Sequence, residues 1–240
     1  MKRIQLKVMA MALCVVFGGM SAHAAERKLL MAGFKNIVVE DDIEVNLTIG
    51  KAPRATVTGD KRELSRIILD RRGNTLVVRL RPQAVGNPRR PASEPLRLAL
   101  SNYALENIEL RGNGRINATA LKNSGSARIF VLGSGEINID NMIVDRLVAT
   151  VIGNGSVKIG GGKVRRGLIE IQGGAEINAS AVNFRNLEVT HEGSGTSSAT
   201  VANAAKINNN GRGSITITGK GSCFIKRAGS AIIDCPKYAR

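Results

Sequence analysis

The 240-residue chain has no tryptophan, two tyrosines and five phenylalanines, so aromatic residues make up only 3% of it. Enzymes that act on polysaccharides and modules that bind single-stranded nucleic acids usually stack their ligands on aromatic platforms, and this scarcity speaks against both. Two histidines, His23 and His191, and three cysteines supply too few ligands for an ordinary four-coordinate metal site, and no cofactor is expected. No segment shows a helical period of useful length, and beyond the first 25 residues no apolar run could span a bilayer. Acidic residues are scarce too: 19 Asp and Glu stand against 35 Lys and Arg, a formal net charge of +16. That imbalance favours anionic partners.

The chain opens with an export pattern. Lys2, Arg3 and Lys7 precede a short apolar centre, and the small residues Ala22 and Ala24 flank His23. Cleavage after Ala24 is expected, leaving residues 25–240 with a net charge of +13 and placing the product in the periplasm or at the cell surface. Cys14 leaves with the signal. In an exported chain the remaining pair, Cys223 and Cys235, most simply forms a disulfide; a metal site is the weaker reading. Closing so short a loop stabilises by about 3 kcal/mol on chain entropy.

A repeat dominates the rest. Glycine corners recur at Gly112, Gly133, Gly153, Gly173, Gly193, Gly211 and Gly229, with steps of 21, 20, 20, 20, 18 and 18 residues. A phosphate-cradling loop occurs once and opens a helix, and these corners do neither. Four residues before each corner stand Ile108, Ile129, Ala149, Ile169, Val189, Ile207 and Ile225; four after stand Ile116, Ile137, Val157, Ile177, Ser197, Ile215 and Ile233. Six after come Ala118, Ile139, Ile159, Ala179, Ala199, Ile217 and Cys235, while the fifth position is polar in every repeat. Side chains on a strand alternate faces, so each repeat has an inward apolar side and a wet outer side. The pattern predicts an all-β fold: a single-stranded parallel β-helix, or β-solenoid, of about 20-residue coils. An antiparallel meander with hairpins at the glycines is the rival, but columns of like residues at constant spacing suit parallel stacking better. A lone coil buries too little to offset the entropy of ordering it, so each depends on its neighbours.

Residues 25–33 read as an extension, 34–104 as irregular coils capping the stack, 105–235 as the regular repeats and 236–240 as a tail. Residues 81–95 hold four of the six prolines and read as an exposed loop.

The order of these features resembles a family. Phe34-Lys35-Asn36-Ile37, "DDIEVNLTIG", "GDKRELSRIILDRRGNTLVVRL" and then the succession of GNG, GSG, GNG, GG, GSG and GRG corners is similar to the autotransporter adhesin head domain known as the GIN domain, over about residues 34–235. The resemblance implies a β-helical fold on exported bacterial proteins and a role in adhesion; it carries over no catalytic residue. No barrel segment follows Arg240, so a self-exporting adhesin is not expected.

Candidates for chemistry are few. Asp41 and Asp42 are adjacent, which on a strand sends them to opposite faces, and Asp140 and Asp145 read as solvated turn residues. His191 lies in an inward column, Leu110, Val131, Val151, Ile171, His191, Asn209 and Arg227, that turns polar over its last three members. Either a polar pocket forms there or the stack tapers and exposes the column, and the taper is the expectation. Between residues 51 and 97 cations are dense. Arg62, Arg66, Arg71, Arg72, Arg79, Arg81, Arg89 and Arg90 form the candidate patch for an anionic ligand such as lipopolysaccharide or an acidic glycan; a solvated basic face is the plainer alternative. Nucleic acid fits less well without aromatics. The expected function is a non-catalytic, adhesin-like exported binding protein, whose partner is an anionic envelope or extracellular component or another envelope protein. A polysaccharide-active enzyme on a β-helix scaffold and a purely structural periplasmic protein are the alternatives.

Overall fold

Parallel stacking is what the columns require. The computed structural model, which describes residues 25–82 and 96–238, is an all-β solenoid of about six turns. The expected signal at residues 1–24, together with Arg89 and Arg90, lies outside the described residues. The first part of the chain runs β1 (Ala25–Leu30), β2 (Asn36–Glu40), β3 (Glu44–Ile49), β4 (Arg54–Gly59), a single helical turn α1 (Lys61–Leu64), β5 (Ile67–Arg72), β6 (Thr75–Leu80) and β7 (Arg97–Asn102). The regular coils follow: β8 (Asn107–Gly112), β9 (Arg115–Ala118), β10 (Leu121–Lys122), β11 (Ser126–Gly133), β12 (Glu136–Ile139), β13 (Met142–Gly153), β14 (Ser156–Ile159) and β15 (Gly162–Gly173). The stack ends with β16 (Glu176–Gly193), β17 (Thr196–Asn209), β18 (Ser214–Gly219), β19 (Ser222–Arg227) and β20 (Ile232–Asp234).

Like residues pile over like. Ile116, Ile137, Val157 and Ile177 are successive partners in parallel ladders, and Ile108, Ile129, Ala149, Ile169, Val189, Ile207 and Ile225 form a second unbroken column. Nearly all of these are buried, so the interior is dry while the residues between them face water. A third short ladder, Leu121–Met142–Gly162–Val182, adds another wall to these coils beside the two strands that flank each corner. Its neighbouring column seats Phe184, the largest fully buried side chain. Room for that ring comes from Gly167, where a Cβ would stand 2.6 Å from it.

The corners need glycine for two reasons. Gly112, Gly133, Gly153, Gly173 and Gly193 have φ between 107° and 121°, which side-chain-bearing residues rarely adopt. They also stack on one another: a Cβ on Gly133 would lie 2.6 Å from the Gly112 carbonyl oxygen. Gly211 and Gly229 are not among the positive-φ glycines and are held small only by the backbone beneath them. The shortening from 20 to 18 residues per coil has a local cause. Between Ala179/Ala199 and Asn183/Thr200 the ladder skips three residues, and between Phe184/Val201 and Asn186/Ala204 it regains one.

The first part of the chain differs from a simple cap of consecutive coils. β2 and β3 pair in parallel with β8 and β9 on one side, and with β6 and β7 on the other. The second layer in space is therefore the first in sequence, and the chain passes outward through β4 to β7 before returning to β8. Three antiparallel pairs close that end: β5 on β6, β1 on β4, and β4 on β7. Ala25–Leu30, read as an extension, is thus a strand of the sheet that covers the edge of β4. At the other end Cys223 and Cys235 are disulfide-bonded 12 residues apart. The bond joins β19 to the segment after β20, bridging the walls of the last coil.

Candidate functional site

The carboxylates that could serve catalysis are engaged or solvated. Asp41 and Asp42 sit at a bend after β2, not on a strand, and Asp41 takes the place of a corner glycine with φ 69°. Its carboxylate accepts the Leu80 backbone N–H at 2.9 Å, tying the first two layers together. Asp140 is exposed at a corner. Asp145 is gripped by Arg165 through two guanidinium nitrogens, with Arg166 at 3.4 Å. The Arg165 hydrogen bonds hold its carboxyl at about 2, so it stays ionised and cannot act as a general acid near neutrality. Glu136 accepts hydrogen bonds from the Asn138 side chain at 2.7 Å and Arg115 at 2.8 Å, and its pKa is lowered, chiefly by Asn138. Among the described residues no group of three or more His, Cys, Asp and Glu could hold a metal ion.

His191 overturns the tapering expectation. It and Asn209 are both 0% exposed, because β17 and β19 continue the stack over them; only Arg227, on the last coil, is exposed. Asn209 satisfies itself through the backbone of Gly211. His191 does not: neither ring nitrogen has a hydrogen-bond partner among the described residues, and the Ser197 hydroxyl is likewise alone. Burial pushes the imidazole pKa below its ordinary value. The Asn209 side chain and Gly195 backbone oppose this without closing a hydrogen bond of acceptable geometry. A neutral histidine sealed in an apolar column has no access to substrate.

The basic patch between residues 51 and 97 is divided by the fold. Arg66 donates to Glu63 at 2.6 Å and to the Arg81 carbonyl at 3.1 Å, and Arg72 pairs with Asp70 at 2.8 Å. Cross-strand neighbours share a face, so Arg79, opposite Ile68, and Arg72, opposite Thr75, lie on one side of the β5–β6 hairpin. Arg71, opposite Leu76, lies on the other and donates to the Gly33 carbonyl at 3.2 Å. The Arg62 backbone N–H donates to the Asp60 carboxylate at 2.9 Å, but the guanidinium groups of Arg62, Arg71, Arg79 and Arg81 form no ion pair with a carboxylate among the described residues. They remain as an array around the irregular end of the solenoid.

A second basic surface escaped the sequence reading. One outward column passes through every layer of a single wall: Thr75, Asn36, Asn107, Arg128, Val148, Leu168, Glu188, Lys206 and Phe224. Two concavities, of about 590 Å³ and 380 Å³, follow this column and share Arg146 and Val148, making one axial groove. Arg146 and Arg166 are stacked partners along its side, with Asn186 next in the same row. The clue in the sequence was available: Arg146 and Arg166 lie one 20-residue period apart, in "VDRLVAT" and "VRRGLIE". A local density of charge does not reveal that spacing.

The family described as "Putative auto-transporter adhesin, head GIN domain" matches residues 33–221. No curated protein matches the chain. Among solved structures, one from Bacteroides fragilis called a "putative adhesin" superposes with a TM-score of 0.70 at 18% identity, covering 89% of this chain and 94% of its own. A "putative adhesin" from Parabacteroides merdae gives 0.66 at 18% identity, covering 89% and 96%. A "Putative lipid binding protein" from Parabacteroides distasonis gives 0.67 at 18% identity, covering 89% and 97%. At that identity the likeness is one of fold.

Proposed function

We propose, from the premise that this chain belongs to the auto-transporter adhesin head GIN domain family, that it is an exported, non-catalytic binding protein, adhesin-like, which holds anionic envelope or extracellular material on its surface. The observation that carries the reading is, among the described residues, a set of exposed cations without carboxylate ion pairs, beside carboxylates and a histidine that are engaged, solvated or sealed. Electrostatic capture needs only such a surface. The disulfide supports an oxidising compartment, periplasmic or at the cell surface. No helix among the described residues is long and apolar enough to cross a membrane.

The test is equilibrium binding of the purified protein to lipopolysaccharide and to acidic and neutral glycans across ionic strength. Binding to the anionic ligands at low salt, weakening as salt rises, is the expected result. Replacing Arg62 and Arg79 together with glutamine weakens the lipopolysaccharide interaction if the end array contributes. Binding to no anionic ligand, or binding indifferent to salt, refutes the reading.

A further inference from the structure

We propose that the axial groove is a binding site for a linear acidic polysaccharide, lying along the solenoid with its carboxylates against Arg128, Arg146 and Arg166. This rests on the anion-binding reading above and assigns it a place and a ligand class. Parallel stacking makes the groove long and straight: the column from Thr75 to Phe224 advances eight layers, about 40 Å at ~4.8 Å per layer. A site of that shape suits an extended chain.

Its charges point to an anion. Arg128 and Arg146 have no carboxylate partner among the described residues, and Arg166 has only the outer share of Asp145 at 3.4 Å. The two carboxylates lining the groove are neutralised locally: Glu109 accepts from Arg111 at 2.6 Å, and Glu188 from Lys206 at 2.9 Å. The middle of the groove therefore presents uncompensated guanidinium groups, which match carboxylates through paired N–H donors.

The floor separates a polysaccharide from the other polyanions. Val148 and Leu168 are half-buried and apolar, but they cover only two layers, about 10 Å. The Asn36–Asn107 amide hydrogen bond at 2.6 Å bounds them on one side, beyond Arg128, and the Glu188–Lys206 pair on the other. An acyl chain finds no continuous apolar track there. Phe224 is the single aromatic of the column, so bases have no stacking ladder. Sugar rings, with C–H faces and polar edges in alternation, fit a floor that changes in the same way.

The experiment measures fluorescence anisotropy of labelled polygalacturonate with the mature chain at low salt. Neutral dextran, phosphatidylglycerol vesicles and single-stranded DNA are the comparisons. Arg146→Gln with Arg166→Gln weakens polygalacturonate binding by about tenfold or more, while Lys158→Gln with Arg212→Gln, an equal loss of charge elsewhere, leaves it within about twofold. Asn186→Arg extends the row of cations and tightens binding, a gain that misfolding cannot mimic. Equal losses in the two double variants, no loss in the groove variant, or groove-dependent binding of vesicles or DNA in place of polygalacturonate overturns the proposal. If lipopolysaccharide binds and polygalacturonate does not, the groove assignment falls and the anion-binding reading stands. If no anion binds, both fall.

Discussion

Replacing His191 with isoleucine should stabilise the protein, an unusual direction for a substitution in a packed core. The residue beneath it in the column is Ile171 and the one above is Asn209, and the imidazole is fully enclosed between them. A buried donor or acceptor left without a partner costs about 1–3 kcal/mol, and both ring nitrogens of His191 are in that state. Isoleucine removes the penalty and adds apolar burial, at the cost of fitting a branched side chain beside Gly213, whose backbone passes close to the ring. A net gain of about 2 kcal/mol is expected, near 4–8 °C in Tm for a domain of this size. The pH dependence provides the sharper readout. The folded-state pKa of His191 lies below the unfolded value, so the unfolded chain takes up the proton first. The wild-type protein therefore keeps its full stability above about pH 6.5 and loses part of it as pH falls from there toward the folded pKa. In the isoleucine variant that part of the slope disappears, while carboxylate titrations at lower pH remain common to both proteins. Urea unfolding at pH 7.5, 6.5 and 5.5 measures both effects. A destabilised variant, or one with the wild-type slope between pH 6.5 and 5.5, refutes the reasoning.

Other outcomes follow from the same structure. Reducing the Cys223–Cys235 disulfide, or replacing both residues with serine, should cost about 3 kcal/mol; the loss should appear as faster amide exchange in β19, with β11 to β15 unaffected. Gly133→Ala imposes a side chain at φ 121° and drives its Cβ onto the Gly112 carbonyl. A loss of about 3 kcal/mol or more in urea unfolding is expected, since strained backbone alone accounts for 1–3, and a loss below about 1 kcal/mol would show that the corner can relax. The Asp145 carboxyl should titrate by NMR at about 2. Its folded pKa is depressed, so its contribution to stability is present above the unfolded value and disappears as pH falls toward 2; Arg165→Met should raise the midpoint toward the ordinary carboxylate range, with Arg166 still holding it below that range.

The regular coils were legible in the sequence because each obeys the same local constraints. A corner with positive φ and a neighbouring backbone at close approach admits only glycine, as at Gly133, and a dry lumen fixes apolar residues at constant offsets from it. Stacking copies these demands at each period, so spacing alone identified the columns of Ile116 and Ile108. The disulfide was legible for a simpler reason: the pair Cys223 and Cys235, in a chain whose start reads as an export signal, has few other expected fates.

The tertiary structure alone decided the order of the first layers, the burial of His191 and the shape of the basic surface. Asp41 stands where other coils have glycine, and β2 aligns with β8 across 71 residues, so no short period records that they are neighbours. Whether an inward column stays dry depends on the coil laid over it, and β17 and β19 cover His191 although its own neighbourhood looks polar. Which cations remain free depends on carboxylates delivered from adjacent layers, as Asp145 is to Arg165 and Glu136 to Arg115, each about one coil away. Residue identity repeats along the chain, whereas burial and charge compensation are properties of the stack, settled only when one coil comes to rest on the next.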